Sequence, residues 1–567
     1  MNGRECSKKF VQQGRELLAR SSRGCQLFDA RSVLSVREHG NMATCLHEAF
    51  RQRQGAPLAA FFNIPLLINA YLSKLMKFAF LTSGLGFIFL MTGCLLGPDY
   101  HTPDLEVPKD WGGMSLAGDS THLTVSMDKV PEVSWWEGFQ NDELNQLIAQ
   151  ALERNHNVRE ASYRVLEGRA LALAAGAGLY PQADFEGAYT RFRRSENILA
   201  APTGASPEGF APPGSSFDLW TASIDLRWEL DMWGRIRRNM EAASAEAVAL
   251  EMDRRGVILA LISDVGQAYF RLRELDEQIE IAEKNLALQK DSLSIISHRA
   301  QAGLVSDLDV KRAEVLTFQT AALIPDLHRQ RAAQQHQLEI LTGYNPNTRV
   351  LAPKPLRKVL VQPTIPVGLP SDLLQRRPDI VEVEETLKAA NARIGEARAY
   401  FFPTIAITGT GGFRTSEFDQ WFKWASRGFS IGPSITLPIF EGYTNVARLE
   451  IAESRYHQML EQYRQTILNA FREVADLLVA LKARGEQLAS QHQEVESAQE
   501  ARELADIRYR KGLVTYLDVL DAERTVLRAE LTLVQTERAR LTDMVALFKA
   551  VGGGWANEQQ IETRSEG

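Results

Sequence analysis

The sequence predicts a mainly α-helical fold with a transmembrane β-barrel, in which each chain is an internal duplication. Three observations lead to this prediction. The phrase Gly-Leu-Val-(Ser/Thr)-x-Leu-Asp-Val occurs at 303–310 and again at 512–519. Each copy of the phrase follows a long segment without proline, and two short stretches of alternating apolar and polar residues precede each long segment. Similar blocks in the same order, found twice in one chain, indicate a structural repeat.

Composition excludes several other classes. The 567 residues are 45% hydrophobic and 24% charged, which excludes a polytopic helical membrane protein. The net charge is −7, and Lys and Arg outnumber Asp and Glu before Cys94, so a chain beginning there would be more acidic still. We therefore expect no nucleic acid partner. No HExxH, GxxxxGK[ST], GxSxG or EF-hand pattern occurs, and no Met/His cluster. We expect no enzyme activity, no catalytic or metal-binding residue and no cofactor.

The four cysteines all lie at or before Cys94, and the stretch that precedes Cys94 explains this asymmetry. Residues 76–93 combine Met76 and Lys77, an apolar stretch and the small pair Thr92-Gly93. This pattern resembles a bacterial lipoprotein signal peptide, which implies that Cys94 becomes the lipidated first residue of the mature chain. The alternative is an uncleaved anchor, because residues 78–97 are uncharged and long enough to span a bilayer. Residues 1–75 are predicted to be an over-extended N-terminus, and residues 94–141 an extended segment.

Four stretches are predicted as strands, at about 180–192, 218–231, 402–414 and 428–440. In the second stretch, Trp220, Ile224 and Trp228 share one face, while charged residues such as Asp225 and Arg227 lie on the other. A packed core would not tolerate unpaired charges, so the pattern favours a barrel with its apolar face toward lipid over a half-buried sheet. Four strands cannot close a membrane barrel, so the chain must oligomerise.

The long segments 235–302 and 444–511 are predicted as helices with coiled-coil seams, and their charged outer positions indicate an aqueous surrounding. At 1.5 Å per residue each would extend about 100 Å. Gly303 and Gly512 would end them, and Ser306 and Thr515 would begin the returning helices, with Asp309 and Asp518 completing capping boxes. The predicted organisation is repeat 1 at 142–344 with its tip at 303–306, a Pro-rich linker at 345–370, repeat 2 at 371–553 with its tip at 512–515, and a tail at 554–567.

Five stretches then carry a family resemblance: GPDYHTP after Cys94, WWEGFQNDEL at 135–144, LYPQADF at 179–185, WELDMWGRIRR at 228–238, and LLQRRPDIVEVEETLKAANARIGEARAYFFP at 373–403. In this order they resemble the TolC-type outer membrane factors of Gram-negative tripartite efflux systems, most closely the lipoprotein branch. The resemblance implies a homotrimeric twelve-stranded β-barrel that continues into a twelve-helix α-barrel. It implies a passive channel for substrates delivered by an inner-membrane pump of the RND type and a periplasmic adaptor, the membrane fusion protein.

The resemblance also implies a location and a set of site residues. The protein would be anchored in the cell outer membrane by its lipid, where Leu95 rather than Asp after Cys94 allows export, and would extend into the periplasm. The adaptor would contact the tips at Gly303, Leu304, Val305, Gly512, Leu513 and Val514. A periplasmic gate would include Asp309, Tyr509, Asp518 and Asp521.

Simpler interpretations of these residues remain open. The apolar tip pairs would also suit the hydrophobic contact that closes a Schellman helix end, Asp309 and Asp518 would suit helix caps, and Asp521 would suit a solvated surface. Val514 stands where a family arginine ties the tip to the Asp309 position, so a latch would need Arg510 or Lys511 instead. The alternative function is a lipid-anchored periplasmic coiled-coil scaffold without channel activity. The transported substrate and the cognate pump and adaptor stay open at this point.

Overall fold

The computed structural model describes residues 95–108, 111, 125–126, 134–193, 195–197, 214–359, 361, 363, 365–368 and 370–553. These residues belong to one compact unit, Met91–Gly567. The predicted over-extended N-terminus, the signal peptide, Cys94 and the C-terminal tail lie outside the described residues.

The chain contains two repeats of the same element order. A short strand comes first, β1 (Val125–Ser126), and pairs in parallel with β4 (Ile365–Pro366). The first repeat consists of α1 (Asp142–Arg154), α2 (His156–Gly176), β2 (Gln182–Arg193), β3 (Ser216–Leu230), α3 (Arg235–Gln301) and α4 (Asp307–Leu341). The second consists of α5 (Pro370–Arg376), α6 (Pro378–Ala399), β5 (Thr404–Thr415), β6 (Arg427–Thr436), α7 (Thr444–Arg510) and α8 (Tyr516–Ala550). The long helices α3 and α7 both have 67 residues, and the returning helices α4 and α8 both have 35.

The four longer strands form one antiparallel sheet in the order β2-β3-β5-β6. The pairing of β3 with β5 joins the two repeats, and it leaves β2 and β6 as the edges. The last strand ends at Thr436, earlier than the predicted 440, because Pro438 follows and has no N–H to extend the ladder.

The sheet has one apolar and one polar face. Phe185, Ile224, Gly411 and Phe429 form one row across the four strands. An adjacent row, on the opposite face, consists of Asp184, Asp225, Thr410 and Ser430. The apolar row is exposed in the protomer, with Phe185 at 74% and Phe429 at 86%. The alternation predicted from the sequence therefore places apolar and polar residues on opposite faces of the sheet, and the apolar face is exposed in the protomer.

The helices lie side by side in a single layer. In the half next to the sheet, α3 packs between α2 and α6, and α6 packs against α7. In the half toward the tips, α3 packs between α4 and α8, and α8 packs against α7. The main core includes the junction region, where Trp135 stacks on Phe548 at 4.6 Å and Phe139 packs against Phe270 at 5.2 Å. Among the described residues, no helix is both long enough and apolar enough to cross a membrane.

Residues 95–108, here called the N-terminal strap, are fixed along α6. The backbone N–H of Leu96 donates to the carbonyl of Trp233 at 3.2 Å, and the amide of Asn391 donates to the carbonyl of Pro98 at 2.9 Å. Gly97 has φ +103°, and a Cβ built on it would lie 2.4 Å from Cα of Gly395. Only glycine satisfies both the positive φ and the close approach. The strap therefore begins where the sheet meets the helices.

Candidate functional site: the helical tips

The turns that end α3 and α7 have the same backbone geometry. Gly303 and Gly512 have φ values of +72° and +70°. The N–H of Leu304 donates to the carbonyl of Arg299 at 2.9 Å, and that of Leu513 donates to the carbonyl of Arg508 at 2.9 Å. The glycine N–H groups donate to the carbonyls of Ala300 and Tyr509 at 2.8 and 2.9 Å. Both turns are Schellman motifs, in which glycine adopts the left-handed conformation without strain.

The returning helices begin with different caps. At α8, the N–H and the hydroxyl of Thr515 donate to Oδ2 of Asp518 at 2.9 and 2.7 Å, which completes the predicted capping box. These hydrogen bonds lower the pKa of the Asp518 carboxyl. At α4, the hydroxyl of Ser306 accepts from the N–H of Leu308, but Asp309 lies 3.6 Å from the Arg312 guanidinium. The capping box predicted there is not formed, because a cation one turn along competes for the Asp309 carboxylate.

Both turns rest on one small core, here called the tip cluster. It draws residues from α3, α4, α7 and α8, namely Ile296, Ala313, Leu316, Tyr509, Tyr516, Val519 and Leu520. Val305 and Val514 are partly buried against it. Leu304 and Leu513 point away from it and remain 67% and 65% exposed. Each predicted apolar pair is thus divided: the valine packs inward beneath the turn, and the leucine is presented to the surroundings.

Tyr509 occupies the middle of the tip cluster. Its ring lies 5.2 Å from the ring of Tyr516, and the guanidinium of Arg299 lies 4.9 Å from its centroid. Its hydroxyl is buried and has no hydrogen-bond partner among the described residues. Burial raises the pKa of Tyr509, Arg299 opposes that shift, and the nearby Asp309 carboxylate adds to it. Among the predicted gate residues, the structure therefore brings Tyr509 and Asp309 within electrostatic range of each other.

The other two gate residues and the proposed latch are arranged differently. Asp518 and Asp521 are both exposed at the start of α8. Arg510 pairs with Asp506 within α7, with 2.9 Å between guanidinium nitrogen and carboxylate oxygen. Within one protomer, Arg510 therefore does not reach across to Asp309. The gate and adaptor-contact roles of these residues remain predictions.

Glu523 on α8 is a residue that sequence reasoning missed. It is buried, and its carboxylate accepts a hydrogen bond from the hydroxyl of Ser292 at 3.1 Å. Burial raises the pKa of this carboxyl, while Ser292 and Arg502 oppose the shift. The available signal was its spacing, because Glu523 follows Tyr516, Val519 and Leu520 on the apolar stripe of α8. In the described ranges, no group of three or more His, Cys, Asp or Glu side chains could hold a metal ion.

Comparison with known proteins assigns the family. The model of the outer membrane efflux protein family matches residues 147–344 and 369–553, which together span both repeats. The chain belongs to the outer membrane efflux protein family. The toluene efflux pump outer membrane protein TtgF of Pseudomonas putida is 36% identical over 473 residues, which cover 82% of this chain and 95% of that protein. The cation efflux system protein CusC of Escherichia coli is 33% identical over 467 residues, covering 82% and 97%.

A solved structure agrees with this assignment. The outer-membrane channel OprN is 32% identical and superposes with a TM-score of 0.73 over 82% of this chain and 100% of that chain. The resemblance to TolC-type outer membrane factors is thereby confirmed. This member of the outer membrane efflux protein family is a channel component of an efflux system.

Proposed function

We propose that three copies of this chain close into a twelve-stranded β-barrel continued by a twelve-helix α-barrel, which passively conducts substrates across the periplasm and the outer membrane. The observation that carries the proposal is the open four-stranded sheet with one exposed apolar face. Its edges β2 and β6 present unpaired backbone groups, which a second copy would pair. Because the four strands alternate in direction, β6 of one copy would run antiparallel to β2 of the next, and three copies give an even-numbered barrel.

The two sides of the helical layer support the same assembly. Along α2 and α4 the exposed apolar side chains include Tyr163, Leu173 and Phe318, and along α7 they include Leu468, Val479 and Leu504. Large apolar side chains exposed along both edges of the layer favour burial against a partner. A ring of three copies would bury the α7 side of one protomer against the α2 and α4 side of the next. The polar row through Asp184 and Asp225 would then line a wet lumen.

The strap supports lipid anchoring at Cys94. Leu95 lies against Gly234, with its Cγ 3.1 Å from the position of a Cβ on that glycine, where β3 gives way to α3. A lipid on the preceding residue would therefore start at the boundary between the barrel and the helices. That is the depth at which acyl chains can enter the inner leaflet of the outer membrane.

The tips support docking of a periplasmic adaptor. Leu304 and Leu513 are exposed apolar residues on turns that need no side-chain contact of their own, because backbone hydrogen bonds close them. We propose that the adaptor hairpin covers them and that an inner-membrane pump of the RND type delivers the cargo. The names of two relatives specify toluene and cations, which share no chemistry. The pump rather than the channel would therefore decide which class of substrate is exported.

The test uses purified full-length protein extracted from membranes. The proposal predicts trimers whose mobility in electrophoresis changes on heating, as expected for a β-barrel, and stepwise conductance after reconstitution in planar bilayers. A trimer that neither conducts nor shows heat-dependent mobility would favour the lipid-anchored scaffold. Copurification of the native complex would identify the adaptor and the pump.

A further inference from the structure

A cavity of about 630 Å³ lies between α3, α6 and α7, close to the sheet end of the helices. Its α7 wall contributes Arg448, Ile451, Arg455 and Met459. Arg393 of α6 and Tyr400, the residue that follows α6, form another wall. Cationic groups therefore stand beside an apolar surface. This is the composition expected of a site for a ligand with an apolar body and a negative group.

The cavity and the N-terminal strap lie on opposite sides of the helical layer. On α6, the strap contacts Glu384, Asn391 and Gly395, which share one face at helical spacing. The cavity is lined by Ala390 and Arg393 of α6, which lie on the roughly opposite face. The strap leads to Cys94, whose lipid must lie outside the barrel, so the cavity faces the lumen. This step rests on the proposed function.

The cations of the cavity are not equally neutralised. Arg393 is paired with Glu246 of α3. Arg448 donates to the side-chain oxygen of Asn445 at 3.0 Å, and its guanidinium lies 4.9 Å from the ring of Tyr400. Neither Arg448 nor Arg455 has an ion-pair partner within the part of the chain that the structure describes. Two guanidinium groups on one face of α7, separated by two helical turns, are thus available to a ligand.

Two acidic side chains also line the cavity: Glu246 is paired with Arg393, and Glu396 is the second carboxyl that could oppose an anion there. Burial raises the pKa of Glu396, and Arg235 and Arg393 oppose that shift. Arg393 and Arg235 therefore face this carboxyl, while Arg448 and Arg455 reach the cavity from the other wall. The positive charge on the α7 wall remains uncompensated.

We propose that this cavity is a transit site for amphipathic anions, in which Arg448 and Arg455 hold a carboxylate or sulfonate and Ile451 and Met459 contact the apolar body. Arginine side chains are long, so two guanidinium groups that lie two turns apart on one helix face can reach toward one anionic group between them. Threefold symmetry would place three such sites around the lumen, below the barrel. An anion that has passed the acidic residues of the tips would meet favourable charge at this level.

The experiment uses full-length protein in lipid nanodiscs and 1-naphthalenesulfonate as the probe, with 1-naphthylmethylammonium as a ligand of similar apolar ring but opposite charge. Fluorescence titration should detect binding of the sulfonate and much weaker binding of the ammonium. Arg448→Gln and Arg455→Gln should each weaken sulfonate binding about tenfold, because a hydrogen bond to a charged group contributes about that factor. Arg464→Gln is the matched control, since Arg464 lies on the same helix, is exposed and pairs with Glu461.

Conductance measured on the same preparations separates the two proposals. Equal binding of the two probes, or equal loss of sulfonate binding in the control variant, would overturn the transit site even if the protein conducts. Absence of conductance would contradict the proposed channel, while the titrations would still report on the cavity. Sulfonate binding that falls only in the cavity variants would support the site.

Discussion

The leucines at the two tips allow a quantitative test of adaptor docking. Leu304 and Leu513 are about two-thirds exposed, so most of each side chain is still available for burial by a partner. Fully burying a leucine contributes about 1.5–3 kcal/mol, and two-thirds of that is about 1–2 kcal/mol per leucine. Leu304→Ala or Leu513→Ala should therefore weaken adaptor binding by about 5–30-fold each, and the double variant by about 30-fold or more.

The fold should tolerate these substitutions. The tip turns are closed by backbone hydrogen bonds, and Val305 and Val514 rather than the leucines pack against the tip cluster. The assay is a titration of purified trimer with the isolated adaptor hairpin, accompanied by an efflux assay in cells. Val350→Ala serves as the control, since Val350 is 73% exposed in the linker between the repeats. Unchanged adaptor affinity in the double variant, or an equal loss in the control, would refute the reasoning.

Three further predictions follow from other parts of the chain. Asp518→Ala combined with Asp521→Ala should leave assembly intact, weaken cation selectivity and raise the conductance of reconstituted trimers. The reason is that two rings of exposed carboxylates would be lost. Unchanged selectivity and conductance would show that these two carboxylates serve as helix caps or surface charges. Labelled fatty acid should enter the wild type but not Cys94→Ala, while the barrel still inserts, and equal labelling would rule out Cys94 as the anchor. Burial and Glu277 raise the pKa of Glu537 to about 7, with Arg357 opposing, and His492 lies 3.9 Å away. The folded state then binds the extra proton, so stability should fall as pH rises through the range from the unfolded pKa to about 7. Glu537→Gln should stabilise the protein by up to about 3 kcal/mol at pH 8 and little at pH 4, measured by urea unfolding; a pH-independent difference would contradict this.

The sequence predicts the local elements well, because alternation and heptad spacing are local patterns. All four strands and both helical hairpins occur where their periodicity indicates, and strand ends differ mainly at Pro438. The pairing of β3 with β5 has no such local signal, since it joins strands of different repeats. It depends on the side-by-side packing of α3 and α6, which only the folded chain provides.

The buried ion pairs could not be predicted from the periodicity of the sequence. Arg273 is fully buried and binds Asp276 at 2.7 Å, Glu143 at 2.9 Å and the carbonyl of Ala352 at 2.8 Å. From the sequence alone, Arg273 would be expected to be an exposed charged residue on a long helix. Asp276 lies on the same helix, but Glu143 lies on α1 and Ala352 in the Pro-rich linker, so the complete desolvated network cannot be inferred from spacing. At the tips, likewise, the sequence predicts two capping boxes, yet Arg312 draws Asp309 away from one of them.

The equal lengths of the paired helices, 67 residues in α3 and α7 and 35 in α4 and α8, have an evolutionary consequence. Both turns pack against the tip cluster. An insertion in a single hairpin would move its turn beyond the turn of the other hairpin and disrupt the packing of that cluster. Length can change only by matched insertions in all four helices, and one added heptad in each would move both tips by about 10 Å. In the proposed assembly, a lineage that had to span a wider gap between its two membranes would need four coordinated genetic events, and that distance would therefore resist gradual drift.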